Sequence, residues 1–378
     1  MNDANLRVTM DVTAVPLAPG GAGRYTVELA RALEERSDLE LVALSRRGDA
    51  SRWRGAARVV DVAPRARGLR LGWEQVRLPG LLSAVAPAVH HSPHYTMPER
   101  SKVPVVVTIH DLTFFSHPEW HEPIKVRLFR RAVSVAARRA AAIICVSSTT
   151  AERLVEVCDV AGPVFVAPHG VDHQRFGTHE RESGSDQRTL DSLGVGGARY
   201  VLFVGTIEPR KDVATLVRAF DKLASRDLHL VLAGQVGWGA RDLERAVAAS
   251  PSKERILRLG YVPDDALAPL LRGAVAVVYP SIEEGYGLPA LEALACGAPL
   301  VTTSGTSMAE MAGEGAVLAR PGDVDDLARA IGTVLDEDAA TTVNRRAVGL
   351  ARAAARTWEA SAEQHIAAYR RAAKRGPQ

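Results

Sequence analysis

The sequence predicts an α/β protein made of two doubly wound domains. Three observations carry this. The chain has 378 residues, 47% of them hydrophobic, enough for two cores at roughly 150 residues per domain. Short runs of Val, Ile, Leu and Ala recur between longer amphipathic segments, as parallel strands buried on both faces require. The pattern also restarts, with one glycine-rich strand exit at residues 18–23 and another at Gly205. Between the two sets, residues 174–199 are polar and rich in Ser, Gly and charge, which predicts a linker. The expected organisation is therefore 1–173, linker 174–199 and 200–354, followed by a last helix within 355–378.

Net charge is +3, so no nucleic-acid partner is demanded. The charge is uneven: residues 1–170 hold 22 Lys and Arg against 17 Asp and Glu, which makes the first domain the basic one. Cys145, Cys158 and Cys296 form no CxxC pair and sit in apolar surroundings, as reduced core residues do. There is no basic-then-apolar leader and no apolar run of the ~18 residues that span a membrane, which predicts a soluble cytoplasmic protein.

In the first half, a strand over 6–15 and a helix over 24–35 flank the loop that contains Gly21 and Gly23. Such a turn lets backbone approach a ligand closely. The dinucleotide pattern GxGxxG lacks its third glycine here, and Arg46-Arg47 after the strand 39–44 is the best case for an NADP phosphate pocket. Arg65, Arg67, Arg70 and Arg77 decorate a basic loop around Trp73-Glu74, open to an anionic acceptor, a membrane or plain solvent. A strand at 88–91 leads to His90, His91 and His94, without a partner segment that would complete a metal site. The strand 103–109 ends at His110-Asp111, where parallel sheets face their ligand crevice. The basic amphipathic helix 125–139 suits a membrane face or solvent. After the strand 141–146, Thr149 and Glu152 form a candidate capping box. The strand 164–167 then leads to His169-Gly-Val-Asp172.

In the second half, the strand 200–204 exits through Gly205, and Arg210-Lys211 precede a helix over 212–223. Side-chain charge and helix dipole attract an anion there. Strands at 228–233 and 256–260 follow, the second leading into Tyr261-Val262. The richest stretch is 279–303, YPSIEEGYGLPALEALACGAPLVTT. A buried strand over 274–279 breaks at Pro280, and a helix over 290–295 starts near Pro289. The backbone from Gly285 through Tyr286 and Gly287 to Leu288 offers amides to an anion, flanked by Glu284 and Glu292. The plain alternative makes Glu284 a solvated loop acid and Glu292 a surface helix acid. Strands at 301–303 and 316–318 complete the sheet. Asp323-Val-Asp325 spells DxD, but it opens a helix over 324–335, where Asp323 reads as an N-cap.

The stretch Glu284-Gly-Tyr-Gly-Leu-Pro-Ala-Leu-Glu292, with CGAPLVTT after it, closely resembles the E-x7-E motif of retaining glycosyltransferases of family four. GGAGRYT, His110-Asp111 and Arg210-Lys211 match the same family, and relatives usually have Asn where this chain has His169. The resemblance implies the GT-B fold: two Rossmann-like domains facing a cleft, with a C-terminal helix crossing back to the first. It implies that Arg210 and Lys211 bind the donor diphosphate, Glu284 lies by the donor sugar and Glu292 on the ribose, with Val262 against the base. His110 would line the sugar site, and Gly21, Gly23 and Gly205 would let backbone approach the donor. No metal site is implied.

The first-domain segments look most like surface-polysaccharide mannosyltransferases, so the expected donor is GDP-mannose. The expected acceptor is a glycan or a lipid-linked saccharide, with peripheral membrane contact through the basic first-domain segments. The alternatives are a sugar-nucleotide epimerase of the same fold, an NADP oxidoreductase and a noncatalytic sugar-nucleotide-binding subunit.

Overall fold

The computed structural model describes residues 5–17, 19–53, 58–179, 184–223, 227–239 and 241–375, and no side chain at Arg67. Ala18 of the first glycine loop, residues 180–183 of the expected linker and the Arg67 side chain therefore lie outside it. The chain divides into two compact units, Met1–Gly170 with Trp358–Gln378, and Val171–Thr357.

The first unit is a seven-stranded parallel sheet: β1 (Leu6–Asp11), β2 (Leu39–Arg46), β3 (Arg58–Ala63), β4 (Val89–Ser92), β5 (Val105–Ile109), β6 (Ala142–Cys145) and β7 (Val164–Val166). Their order is β3-β2-β1-β4-β5-β6-β7, with β1 paired to both β2 and β4. The order reverses between β1 and β4, the place where open α/β sheets form their ligand crevice. Val105, Val107 and Ile109 of β5 pack with Val133, Ala136 and Ala137 from the helix Pro123–Arg139. The last helix, Trp358–Arg375, belongs to this unit and buries Trp358, His365, Ile366 and Tyr369.

The second unit is a six-stranded parallel sheet: β8 (Arg199–Val204), β9 (Leu228–Ala233), β10 (Ile256–Gly260), β11 (Ala276–Tyr279), β12 (Leu300–Thr303) and β13 (Ala316–Ala319). The order β10-β9-β8-β11-β12-β13 reverses between β8 and β11. Residues 174–199, expected as a linker, carry the helix Ser185–Ser192, whose Asp186 accepts two 2.6 Å bonds from Arg272.

Two local expectations are corrected. The basic segment around Trp73 is helical, Arg67–Val76, and Arg70 and Glu74 pair at i, i+4 on its inner side. The helix Ser148–Val157 is capped by Ser147, which accepts from the Thr150 amide at 3.1 Å, so the box at Thr149 is not the cap. Asp323 caps Val324–Leu335 as expected, accepting from the Asp326 amide at 3.0 Å.

Candidate active site

In the second unit the candidate anion site grows out of β8. The chain leaves that strand through Gly205 at φ +144°, where a Cβ would stand 2.8 Å from Lys211 Nζ. Lys211 can therefore lie back along the strand exit, its side chain 8% exposed. Its ammonium is 3.6 Å from Glu284 Oε1 and 6.0 Å from the centre of the Phe203 ring. Arg210 pairs with the other Glu284 oxygen and, through Nε at 3.0 Å, with Glu208. The Ile282 amide donates to the Arg210 carbonyl at 2.8 Å, which fastens the loop after β11 to the loop after β8. Two cations and two carboxylates thus share one part-buried cluster. Burial pushes the Glu284 carboxyl up, but Arg210 and Lys211 outweigh it and hold it below the usual carboxylate range. Burial lowers the Lys211 ammonium, with Glu284 opposing.

The loop after β11 turns at Gly287, φ +92°, where a Cβ would meet Met308 Cγ at 2.3 Å; only glycine lets the helix Leu288–Ala295 start there. Ser307 Oγ donates to the Glu284 carbonyl at 2.8 Å. Glu284 and Glu292 are not surface acids: the first side chain is 11% exposed and Glu292 is 4% exposed. The Tyr279 hydroxyl is held far above its ordinary value by burial and then by the charges of Glu292 and Glu284. Tyr279 Oη and Ser281 Oγ are buried without a hydrogen-bond partner among the described residues. Tyr286 is buried and bonded to the Arg356 side chain, Leu288 is buried, and Val262 follows β10 with a buried side chain.

In the first unit His110 follows β5 directly. Its Nε2 donates to the Pro93 carbonyl at 2.7 Å, and burial lowers its pKa, so the ring is neutral with its lone pair on Nδ1. Tyr25 stands edge-on to it at 4.9 Å. Asp111 turns away to cap its own turn, accepting from Thr113 N and Oγ1. His169 packs 4.7 Å from the Tyr25 ring and 5.8 Å from Trp358, which accounts for an aromatic side chain there. Gly21 meets open space, whereas a Cβ on Gly23 would lie 3.0 Å from Pro19 Cβ. Both glycines lie in the first turn of the first helix, Gly21–Glu34, not in the loop before it as expected; Gly23 is needed where that turn packs on the loop, and Gly21 leaves room.

The other candidates find local partners. His90, His91 and His94 bond separately to Thr9, Thr108 and Thr26. Arg46 donates to the Val15 carbonyl at 2.8 Å and pairs with Asp49, so it is not held free for a cofactor phosphate. Lys125, Arg130, Arg131 and Arg139 of the basic helix bond to Glu122, Phe114 O and Glu99. Sequence reasoning missed Glu208, although a Glu two residues before Arg210 was the signal. It also missed the buried triad in which Arg70 Nη1 bridges Asp11 at 3.1 Å and Glu74 at 3.0 Å.

Residues 19–175 match Glycosyltransferase Family 4, and residues 198–337 match Glycosyl transferases group 1. The O-antigen chain mannosyltransferase B of Escherichia coli is 31% identical over 285 residues, covering 75% of this chain and 74% of the relative. The chain belongs to glycosyltransferase family four. The transferase is also 28% identical over 240 residues to the E. coli serotype-specific mannosyltransferase WbdA, covering 62% of this chain but only 29% of that longer protein. Among solved structures, Anabaena HepE in complex with UDP-glucose superposes with a TM-score of 0.73 at 20% identity, over 96% of the transferase and 98% of HepE. At that identity the likeness is one of fold, and the fold is GT-B.

Proposed function

We propose that this glycosyltransferase moves mannose from GDP-mannose to a glycan or lipid-linked acceptor, retaining the anomeric configuration and using no divalent metal. The observation that carries the reading is the pairing of Arg210 and Lys211 around Glu284 at the carboxyl ends of β8 and β11. When the anomeric carbon–oxygen bond breaks, its electron pair stays with the departing diphosphate. Arg210, Lys211 and the amides from Gly285 to Leu288 are the groups that meet that charge. Glu292 takes the ribose hydroxyls, Glu284 the sugar, and the Val262 backbone the base. The two partnerless hydroxyls, Tyr279 Oη and Ser281 Oγ, support a polar ligand beside the acid pair. His110 Nδ1 accepts from a hydroxyl of the transferred sugar. Mannose is favoured by the mannosyltransferases among the relatives.

We place the enzyme in the cytoplasm on its three free cysteines. No described helix is long and apolar enough to cross a membrane. Contact with the membrane of a lipid-linked acceptor would use the helix Pro123–Arg139, where Ile124 is 75% exposed beside Lys125.

The test is thermal unfolding with a panel of sugar nucleotides. At ~100 times its dissociation constant a ligand adds about 2.7 kcal/mol. GDP-mannose should raise the melting temperature and NADPH should not. NADPH stabilisation with no response to any GDP-, UDP- or ADP-sugar would overturn the reading. Product analysis by NMR then separates transfer with retention from epimerisation and from binding alone.

A further inference from the structure

The first unit contains one continuous chain of buried hydrogen bonds whose direction is fixed at every link. His365 Nδ1 lies 2.7 Å from the Ser361 carbonyl, which can only accept, so Nδ1 carries the proton and Nε2 the lone pair. Tyr25 Oη, 2.8 Å from that Nε2, must donate to it. Thr108 Oγ1, 2.8 Å from Tyr25 Oη, therefore donates to the tyrosine oxygen. His91 Nε2 then donates to Thr108 Oγ1 at 2.8 Å, and Tyr369 donates to His91 Nδ1 at 2.8 Å. The two histidines must hold opposite tautomers for the chain to close. All five side chains are buried, and His365 and Tyr369 come from the last helix while Tyr25 comes from the first.

The chain leaves Tyr25 no rotational freedom, and Tyr25 is the ring set edge-on against His110 at 4.9 Å, with His169 tilted on it at 4.7 Å. Among the described residues His110 has one hydrogen-bonded anchor, Nε2 to Pro93 O. A single bond at one nitrogen leaves the ring able to swing about it; of the rings that wall it in, Tyr25 at 4.9 Å is nearer than Tyr95, His94 and His169 at 5.8, 5.9 and 6.1 Å.

We propose that Tyr25 is a positioning residue for His110, locked by the Thr108–Tyr25–His365 bonds, so that the C-terminal helix sets the orientation in which His110 Nδ1 is offered to the sugar. This rests on the sugar-contact role proposed for His110. It extends that role to a residue 340 positions away in sequence from its partner His365.

The test compares Tyr25→Phe, Thr108→Val, His365→Leu and His365→Gln in the full chain. Tyr25→Phe keeps the ring and removes both bonds. Displacing a reacting contact by about 1 Å costs on the order of 10- to 100-fold. The expected result is a fall of that size in kcat with the donor KM nearly unchanged, because the residues proposed to hold the nucleotide and diphosphate lie in the other unit. His365→Gln restores an acceptor for the Tyr25 hydroxyl and should recover most of the kcat that His365→Leu loses. Two further measurements read the inference without activity. In ¹⁵N-histidine spectra the wild-type His110 should show the Nε2–H tautomer, and Tyr25→Phe should mix it with the Nδ1–H form. Melting temperatures tell whether each variant is folded. An unchanged kcat and unchanged His110 tautomer in folded Tyr25→Phe or Thr108→Val would overturn the proposal. If wild type binds no nucleotide sugar, the function reading fails, and the tautomer comparison still decides whether Tyr25 holds His110.

Discussion

Lys211 Nζ lies 3.6 Å from Glu284 Oε1, with only 8% of one side chain and 11% of the other exposed. Replacing such a buried pair by apolar packing is often neutral or stabilising, so stability alone does not account for it. Lys211→Ala leaves Glu284 to Arg210, and should cost turnover as well as some stability. A hydrogen bond to a charged group contributes roughly 1.5–3 kcal/mol, so turnover at saturating donor should fall by about 10- to 150-fold at ~1.4 kcal/mol per decade. Near-normal turnover in both Lys211→Ala and Arg210→Ala would remove these cations from the mechanism.

Arg210 is shared between Glu284 and Glu208, the latter at 3.0 Å. A diphosphate has to compete with Glu208 for that guanidinium. Both side chains are about a quarter exposed, so the competing pair is worth roughly 0.2–1 kcal/mol. Glu208→Gln should tighten binding of a nucleoside diphosphate by about 1.4- to 5-fold in calorimetry. Weaker binding would mean that Glu208 orients Arg210 rather than masking it.

Glu292 and His110 should separate in kinetics. On the proposed reading Glu292→Ala would remove a ribose contact made equally in ground and transition states, so donor KM should rise with kcat nearly constant. His110→Ala should lower kcat at an unchanged donor KM. A His110→Ala enzyme with full turnover on its true acceptor would take His110 out of the site.

Acid should loosen the first unit in a predictable window. Burial holds His365 and His90 down at about 4, against an ordinary 6.5. The unfolded chain therefore takes up these protons first as pH falls from 6.5 to 4, and stability is lost across that window at about 1.4 kcal/mol per unit for each histidine. Glu74, raised to about 7 by burial with Asp11 adding and Arg70 opposing, runs the other way. His365 faces Tyr25 from the first helix, His91 from β4 and Tyr369 from its own helix, and feels His110 as well, none of them charged while the imidazoles are neutral. Urea titrations of wild type and His365→Gln at pH 7.5 and 5 should show a smaller loss in the variant. Equal losses would mean that His365 is not the group that titrates.

Much of this was legible in the sequence because parallel strands buried on both faces announce themselves as unbroken apolar runs. β9 and β10 fall on the residues the pattern picks out. The turns after β8 and β11 were legible because glycines at 205 and 287 have backbone or neighbour demands that no other residue meets. The helix Arg67–Val76 was not legible, because two glycines and two arginines hide its inner face, which carries a charged pair. The cap at Ser147 was lost for a different reason: Ser147, Ser148, Thr149 and Thr150 all fit an N-cap, and only the geometry chooses. Tyr25 gave no signal, since its partners arrive from the far end of the chain.

The DxD at Asp323 gives a clean control. Asp323→Ala removes a helix cap and should cost about 1 kcal/mol of stability, with transfer unchanged in excess EDTA as in added Mg²⁺ or Mn²⁺. Activity abolished by EDTA, restored by metal and lost in Asp323→Ala would show a metal role for that aspartate.

The first unit closes only with Trp358–Arg375, although its sheet is finished by Val166. During synthesis the ribosome must make the whole of Val171–Thr357 before that helix exists, a wait of roughly 10–40 s at ~5–20 residues per second. Through that interval Tyr25 and His91 lack His365 and Tyr369, and a strip of apolar sheet stands uncovered. The second unit can fold from contiguous chain while the first is still waiting for its final piece. A nascent chain stalled before residue 358 should therefore be recognised by chaperones and cut by protease within its N-terminal half, and protection should appear only when the last eighteen residues of helix emerge.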